Sequence, residues 1–515
     1  MNKHWALIAV ACMVVTAPMA IFGGSALRSL LLIELLITLS LAYVNISGGL
    51  RMDRLFDLPS LITARMVVSF GIAPIPAILM RERLNDRLLG DYDLILQALL
   101  ILIVGMVAFW TGCQTAQNRL RSKPVLVTGA RTPQSALVVA VVIYAIGFGC
   151  KVYLLQHQLF AFTASLELYR NNLEGSQWFM FGASFATLGL LLMCIEKFSH
   201  PSQGWVGWLF WGIVLSECWW GLVSGMKEFL LKDFVVIGAV ATICRGKLAK
   251  RWILAAVLGL VLLYPFYNDY RAVVRGAGSS QVNTFEGAFA ALGQTTTRFY
   301  EEFRYSDWID AGTDASASRL DLLQGFGLVL SFPNRAAELQ GEERLWMIPF
   351  YPFIPRTIWT SKPILDKGAR FDKALGGTGD SSEAVPYVAD CYIYGGVLGV
   401  VVGMFALGLF AQRYGNGVKG VFSKNDLLLY SVALLYCFNI EIGVVEWWTG
   451  MMKIMVVAVV VGWLAYGSSA KRTTRTVVQR ATSLRGRSVD GSFRVPSMSA
   501  ARISSQLVDR PSPSS

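Results

Sequence analysis

The chain has 515 residues, of which 54% are hydrophobic and only 16% charged, with a mean hydropathy of +0.50 and a formal net charge of +12. Soluble domains carry charge on about a quarter of their residues, so a soluble globular enzyme is excluded. The basic excess would point to nucleic acid in a soluble protein; here it gathers in short loops and a C-terminal tail, where the positive-inside bias accounts for it and no nucleic-acid partner is expected.

Apolar runs of about twenty residues recur along the whole length, the signature of an all-α polytopic membrane protein. The N-terminus reads MNKHW and then runs apolar to Phe22. A second apolar run follows almost at once, so the first is an uncleaved membrane helix rather than a signal peptide. Twelve spans are predicted: 5–22, 27–46, 61–80, 94–113, 135–156, 177–195, 205–223, 229–244, 252–268, 387–411, 426–446 and 451–467. Each is helix, because lipid offers no partner to a strand's open edge. Arg51 and Arg54, then Arg119, Arg121, Lys123 and Arg131, then Arg245, Lys247, Lys250 and Arg251, then Arg413, Lys419 and Lys424 fall in alternate loops. That places both termini in the cytoplasm and the interval 269–386 outside. The domains expected are thus 1–268 with nine spans, the outer loop 269–386, 387–467 with three spans, and the tail 468–515.

The eight cysteines are scattered through apolar runs with no CxxC pair, so neither a zinc site nor a disulfide framework is implied. The loop after the seventh span reads SGMKEFLLKDF, and Glu228 and Lys232 are spaced to pair on one helix face beside Lys227 and Asp233. Charges at membrane depth face a bundle interior or mark the interface. The eleventh span ends NIEIGVVEWWTG, with Glu441 deeper than Glu446. From Ser468 the tail holds nine Lys/Arg, two Asp and twelve Ser in 48 residues, the composition of a disordered tether near anionic headgroups.

The outer interval carries most of the polar chemistry. Its middle, from Thr297 to Gly341, has apolar residues at three- and four-residue spacing and predicts short amphipathic helices over the mouth of the bundle. The stretch Phe350–Gly368, FYPFIPRTIWTSKPILDKG, is basic, aromatic and proline-stiffened. Prolines 349, 352, 355 and 363 fix φ and remove backbone donors, which predicts a rigid, extended loop presenting Arg356, Lys362 and Lys367 to an anion. Arg271 and Arg275 emerge directly from the ninth span, and Asp390 stands at the entrance to the tenth. The small residues of YIYGGVLGVVVGMFALG predict close helix packing.

FIPRTIWTSKP, the turn GGTGDSSEAVP and the helix start DCYIYGGVLGVVVG, over about residues 347–405, together resemble the Wzy-type O-antigen and exopolysaccharide repeat-unit polymerases of bacterial inner membranes. The layout of many helices with one long late loop is also similar. SGMKEFLLKD looks like a weaker echo of a Gly-x-basic element of that family. The resemblance implies a metal-independent glycosyltransferase without a cofactor, acting at the periplasmic face on undecaprenyl-pyrophosphate-linked oligosaccharide. The growing chain would pass to a hydroxyl of the incoming repeat, with polyprenyl pyrophosphate released. Partners would be the bilayer and a chain-length regulator and flippase of the same route.

A departing pyrophosphate is stabilised by guanidinium and ammonium groups where its charge develops. Arg356, Lys362, Lys367, Arg271, Arg275 and Lys227 are the candidates for binding it, with Arg356 foremost. A carboxylate or imidazole would take the acceptor's proton. Asp390 and Glu441 are the best-placed carboxylates, and of three histidines His157 alone falls near the outer face. Two alternatives use the same lipid carrier: an O-antigen ligase, or a flippase, which should carry charge through several spans.

Overall fold

A computed structural model describes residues 57–74, 92–116, 125–126, 134–160, 173–199, 204–245, 266–274 without 268 and 272, 284–302, 321–332, 336–354, 358–377 without 364 and 366, 384–417 and 421–467. The first and second expected spans, most of the ninth and the tail lie outside the described residues. Fourteen helices follow one another among them. They are α1 (Leu58–Met66, continued by a π-helical turn Val67–Ile72), α2 (Tyr92–Thr115), α3 (Gln134–Gln156), α4 (Leu173–Ala183), α5 (Phe185–Ser199), α6 (Gly204–Ser224) and α7 (Lys227–Arg245). Next come α8 (Phe285–Glu302), α9 (Leu322–Leu330), α10 (Ala336–Gln340), α11 (Lys367–Ala374), α12 (Tyr387–Gly417), α13 (Lys424–Phe438) and α14 (Val444–Tyr466). Two-residue strands β1 (Val125–Leu126) and β2 (Val421–Phe422) pair in parallel between helices.

Six of the described helices are long and apolar enough to cross a membrane: Asp93–Thr115, Gln134–Gln156, Ser176–Ser199, Gly204–Ser224, Tyr387–Gly415 and Val444–Tyr466. This is a helical membrane protein. Leu58–Ile72 is a shorter apolar helix, and α7 opens with two lysines, a glutamate and an aspartate in its first seven residues.

Two apolar cores share one helix. Tyr430, Ala433, Leu434 and Cys437 of α13 pack into a core with α1, α2, α9 and α12. Leu427, Leu428, Val432 and Leu435, on another face of the same helix, pack with α3, α5, α6 and α7. A helix apolar all round belongs in the middle of a bundle. Its start is set by a capping box, in which the Ser423 hydroxyl accepts from the Asp426 amide and the Asp426 carboxylate accepts from the Ser423 amide.

Helices α2 and α12 run parallel and touch backbone to backbone. A Cβ on Gly112 would fall 2.2 Å from the Phe405 carbonyl oxygen, and one on Gly408 would fall 2.0 Å from that of Phe109. The close packing expected of the small residues after Tyr392 is therefore present, and α2 supplies its partner.

Two expectations need correction. The eleventh span, expected over 426–446, ends at Phe438, and the last helix starts at Val444 rather than 451. Residues 439–443 break the helix because their neighbours satisfy the broken ends: the Tyr387 amide donates to the Ile440 carbonyl at 3.0 Å, and the Val444 amide to Asp390 Oδ2 at 2.6 Å. The second concerns 350–368. Its described part is a run of tight turns, with Phe350, Tyr351 and Phe353 amides closing back on Met347 and Phe350 carbonyls, and helix α11 already begins at Lys367. Proline does bar regular structure there, but through turns rather than extension.

In the polar interval, α9 is nine residues long and opens on Asp321, whose Oδ1 accepts from the Leu323 amide at 2.9 Å and the Gln324 amide at 3.2 Å. Among the described residues Oδ2 is buried and has no hydrogen bond. Burial pushes this carboxyl up to about 7, against the opposing pull of the amide bonds.

Two outcomes are expected. Gly408→Val forces the α2 and α12 backbones apart and lowers stability by about 1–3 kcal/mol, the usual cost of overpacking, measured by denaturant unfolding in detergent. For Asp321, the folded value lies above the roughly 3.9 of a free aspartate, so the unfolded chain ionises first. Its contribution is fully present below about pH 4 and is lost as pH rises to about 7. The wild-type Tm should therefore fall relative to Asp321→Asn between about pH 5 and about pH 8; a constant difference between the two proteins contradicts this.

Candidate functional site

Where α12 and α14 begin, the polar interval brings three charged side chains into the bundle. Asp390, in the first turn of α12, is 0% exposed, and Glu343 and Lys367 are 2% and 3% exposed. The Lys367 ammonium sits between the two carboxylates, ion-paired to Asp390 Oδ1 and 2.9 Å from Glu343 Oε2. Its third contact is the Tyr394 hydroxyl at 3.0 Å. Tyr394 in turn donates to Glu343 Oε2, and Arg370 pairs with Glu343 Oε1. Buried charge is tolerated only when paired and hydrogen-bonded, and here each carboxylate oxygen of Glu343 and Asp390 has a donor.

Local sequence positions these groups. Asp390 and Tyr394 are four apart on one face of the first turns of α12. The helix then breaks at Gly395 and Gly396, where Gly396 takes φ 58°, a value that favours glycine. The short helix carrying Asp390 and Tyr394 thus diverges from the long apolar segment after it. Lys367 and Arg370 lie three apart on α11, so both face the same side.

Glu446, in the first turn of α14, is half-buried and lies within electrostatic range of Lys367, Asp390, Glu343 and Arg370. The site therefore offers three carboxylates, two cations and a phenol. Among the described residues Glu446 is the carboxylate of the three with no hydrogen bond.

The turns beside this cluster are held by Lys362, which donates to the Tyr351 carbonyl at 2.7 Å and the Ile354 carbonyl at 2.9 Å. Tyr351 is fully buried and stacks on Trp359 at 5.6 Å between centroids.

The sequence-predicted residues divide accordingly. Asp390 and Lys367 come together, and Lys362 lies in the neighbouring turns. Glu441 is in the 439–443 break, ion-paired with Arg65 of α1, whose guanidinium lies over Phe438. Arg271 is elsewhere, donating from Nε to the Gly225 carbonyl at 2.7 Å. Lys227 opens α7. Arg356 and Arg275 lie outside the described residues. His157 stacks on Tyr153 at 4.0 Å. Sequence reasoning missed Glu343, Arg370 and Tyr394 and undervalued Glu446. The glutamate pair in GEERLW and the tyrosine one turn after Asp390 were the only signals, and both are common in loops and helix starts.

Buried charge also occurs within the spans. Lys151 of α3 bonds both oxygens of Glu217 of α6 at 2.7 Å, each side chain 5% exposed. Lys424 of α13 bonds both oxygens of Glu196 of α5 at 2.8 Å.

A family model described as a domain of unknown function (DUF8712) matches residues 90–437, which include Glu343, Lys367, Arg370, Asp390 and Tyr394. No curated protein and no solved structure matches the chain.

Lys367→Met should destabilise the protein by about 3–5 kcal/mol, because it leaves the buried Asp390 carboxylate without a counter-charge and Glu343 with Arg370 alone. Adding Asp390→Asn should restore part of that loss, since it removes one unpaired charge and keeps an acceptor for the Val444 amide. Thermal unfolding of the single and double variants checks this; purely additive losses contradict the pairing.

Proposed function

We propose that this chain, which belongs to the DUF8712 family, polymerises lipid-linked oligosaccharides at the periplasmic face of the bacterial inner membrane. The observation that carries the reading is the acid–base cluster of Glu343, Lys367, Arg370, Asp390, Tyr394 and Glu446 at the start of two apolar helices. Chemistry on a membrane-anchored pyrophosphate needs such a site at the end of a bundle, beside the lipid. The remaining layout is part of the proposal: twelve spans, cytoplasmic termini, and the interval 269–386 in the periplasm.

The step is a substitution at an anomeric carbon. The acceptor hydroxyl oxygen of the incoming undecaprenyl-pyrophosphate-linked repeat attacks C1 of the growing chain. Its proton passes to the Glu446 carboxylate, and the bond between C1 and the phosphate oxygen breaks. The electron pair leaves with polyprenyl pyrophosphate. Glu446 suits the base because the other two carboxylates are taken up by Lys367, Arg370, Tyr394 and the Val444 amide. Asp390 acts as a positioning residue, holding both Lys367 and the α14 N-terminus. Arg370, at 20% side-chain exposure, forms the wetter edge of the cluster, and with Arg356 it would meet the leaving pyrophosphate. Lys367 donates its three hydrogen bonds to Glu343, Asp390 and Tyr394, so it acts as a positioning residue for the cluster. Arg271, Arg275, Lys227 and Lys362 stay secondary phosphate candidates, and Glu441 remains a secondary carboxylate.

One observation favours a second reading, transport of the same lipid-linked sugar. The Lys151–Glu217 pair places buried charge within two membrane-length helices, and the Lys424–Glu196 pair places it at the ends of two others; a translocation path requires buried charge of this kind. A ligase is the third use of this chemistry.

Deleting the gene and analysing lipid-linked glycans separates them. Loss of a polymerase leaves single repeats and no long chains; loss of a flippase traps repeats on the cytoplasmic face; loss of a ligase leaves long chains on the carrier. Glu446→Gln should reduce chain elongation by roughly 10²–10⁴-fold, the usual contribution of a general base, at wild-type protein level. Normal chain lengths in that variant rule Glu446 out.

A further inference from the structure

We propose that the turns of 345–354, together with Ile358, form a membrane-dipping anchor, whose exposed apolar face inserts among lipid headgroups and upper acyl chains. This rests on the chain being a membrane protein and holds whether or not the polymerase reading does. The face consists of Trp346, Phe350, Phe353 and Ile358, exposed by 62%, 53%, 58% and 77%. Four large apolar side chains so close in sequence, all turned outward, are not the scattered exposed hydrophobes of an ordinary surface.

The turns are not free to fold these residues away. The Phe350, Tyr351, Phe353 and Ile354 amides close onto the Met347 and Phe350 carbonyls. The Lys362 ammonium ties the Tyr351 and Ile354 carbonyls together from within. The inner face of the same turns, Ile348 and Tyr351, packs on Val445 and Trp448 of α14 and on Tyr394 of α12. Inner residues hold the turns down, so the outer ones must point away.

The occupant follows from where the turns are fixed. Val445, Trp448 and Tyr394 belong to the first turns of two helices long and apolar enough to cross a membrane. The outward face is thus held at the depth where the spans begin, which is where lipid headgroups lie. Just beyond Tyr394, α12 itself exposes Val397, Leu398 and Val402, an apolar flank that lipid covers in any membrane helix. The composition fits that depth: tryptophan and phenylalanine with a flexible cation, the exposed Arg344, at one edge to meet phosphate. A consequence follows for the neighbouring cluster. Glu343 immediately precedes these turns, so the anchor fixes the acid–base groups at headgroup level, within reach of a phosphate borne on a lipid.

The test uses the full chain with its eight native cysteines replaced, in lipid nanodiscs of phosphatidylethanolamine and phosphatidylglycerol. Single cysteines at 346, 350, 353 and 358 carry nitroxides, and collision with oxygen and with a water-soluble nickel chelate is read by electron paramagnetic resonance. Leu398→Cys is the lipid-facing control and the exposed Lys373→Cys is the aqueous one. The four sites are expected to match Leu398→Cys, with chelate collisions lost and oxygen collisions raised. Chelate collisions at the level of Lys373→Cys overturn the proposal. So does shielding from both reagents, which contact with a second protein chain would produce. Four positions give independent readings, so one variant that fails to insert leaves the other three to decide. Lipid-level readings together with normal glycan in the deletion strain would remove the polymerase and keep the anchor.

Discussion

An ammonium held between two buried carboxylates is the interaction on which the described architecture depends. Lys367 joins the polar interval to the first turn of α12 through Asp390, and Asp390 caps the first amide of α14 with its other oxygen. One aspartate therefore links a loop helix and two apolar helices. In a low-dielectric interior such charges are costly alone and attract strongly when paired. The pairing does not have to add stability over an apolar substitute. What it supplies is a unique arrangement, because any other register leaves a charge without its partner.

The same logic recurs at other points in the bundle. Lys151 with Glu217 ties α3 to α6, Lys424 with Glu196 ties α13 to α5, and Arg65 with Glu441 ties α1 to the break before α14. Lipid and helix are equally apolar, so the hydrophobic effect alone does not choose which helix neighbours which. Glycines that let backbones touch, as Gly112 and Gly408 do, and these few ion pairs make the choice. The central helix α13 then serves both cores, each with a different set of leucines, alanines and valines.

The turns of 345–354 and the stretch 358–363 show why a segment can be both greasy and rigid. Prolines and short carbonyl-to-amide closures restrict the backbone, a buried lysine satisfies carbonyls that have no helix to accept from, and aromatic side chains cover both faces. Lys362, a candidate for meeting an anion, donates its ammonium to the converging Tyr351 and Ile354 carbonyl oxygens.

Much of the fold was legible in order and type. Apolar runs of membrane length, the small residues of the tenth span, the short helices 322–330 and 336–340 of the polar interval and the position of Asp390 at a helix entrance all follow from composition and period. The site was half legible: Asp390 and Lys367 could be named, but Glu343, Tyr394 and Glu446 could not be joined to them. Glu343 and Lys367 are 24 positions apart and Tyr394 lies 51 beyond Glu343, and no local period encodes which loop residue folds back to which helix turn. The eleventh span failed for a related reason. Residues 426–446 are apolar enough to continue, and the break at 439–443 exists because Tyr387 and Asp390 supply the partners its open ends need. Solvent preference is a property of each residue, so residue order alone is enough to read a membrane protein of apolar helices with a charged, proline-rich interval. Which charges meet, where helices stop and which aromatics face outward depend on partners that distance along the chain conceals, and these emerge from the folded chain.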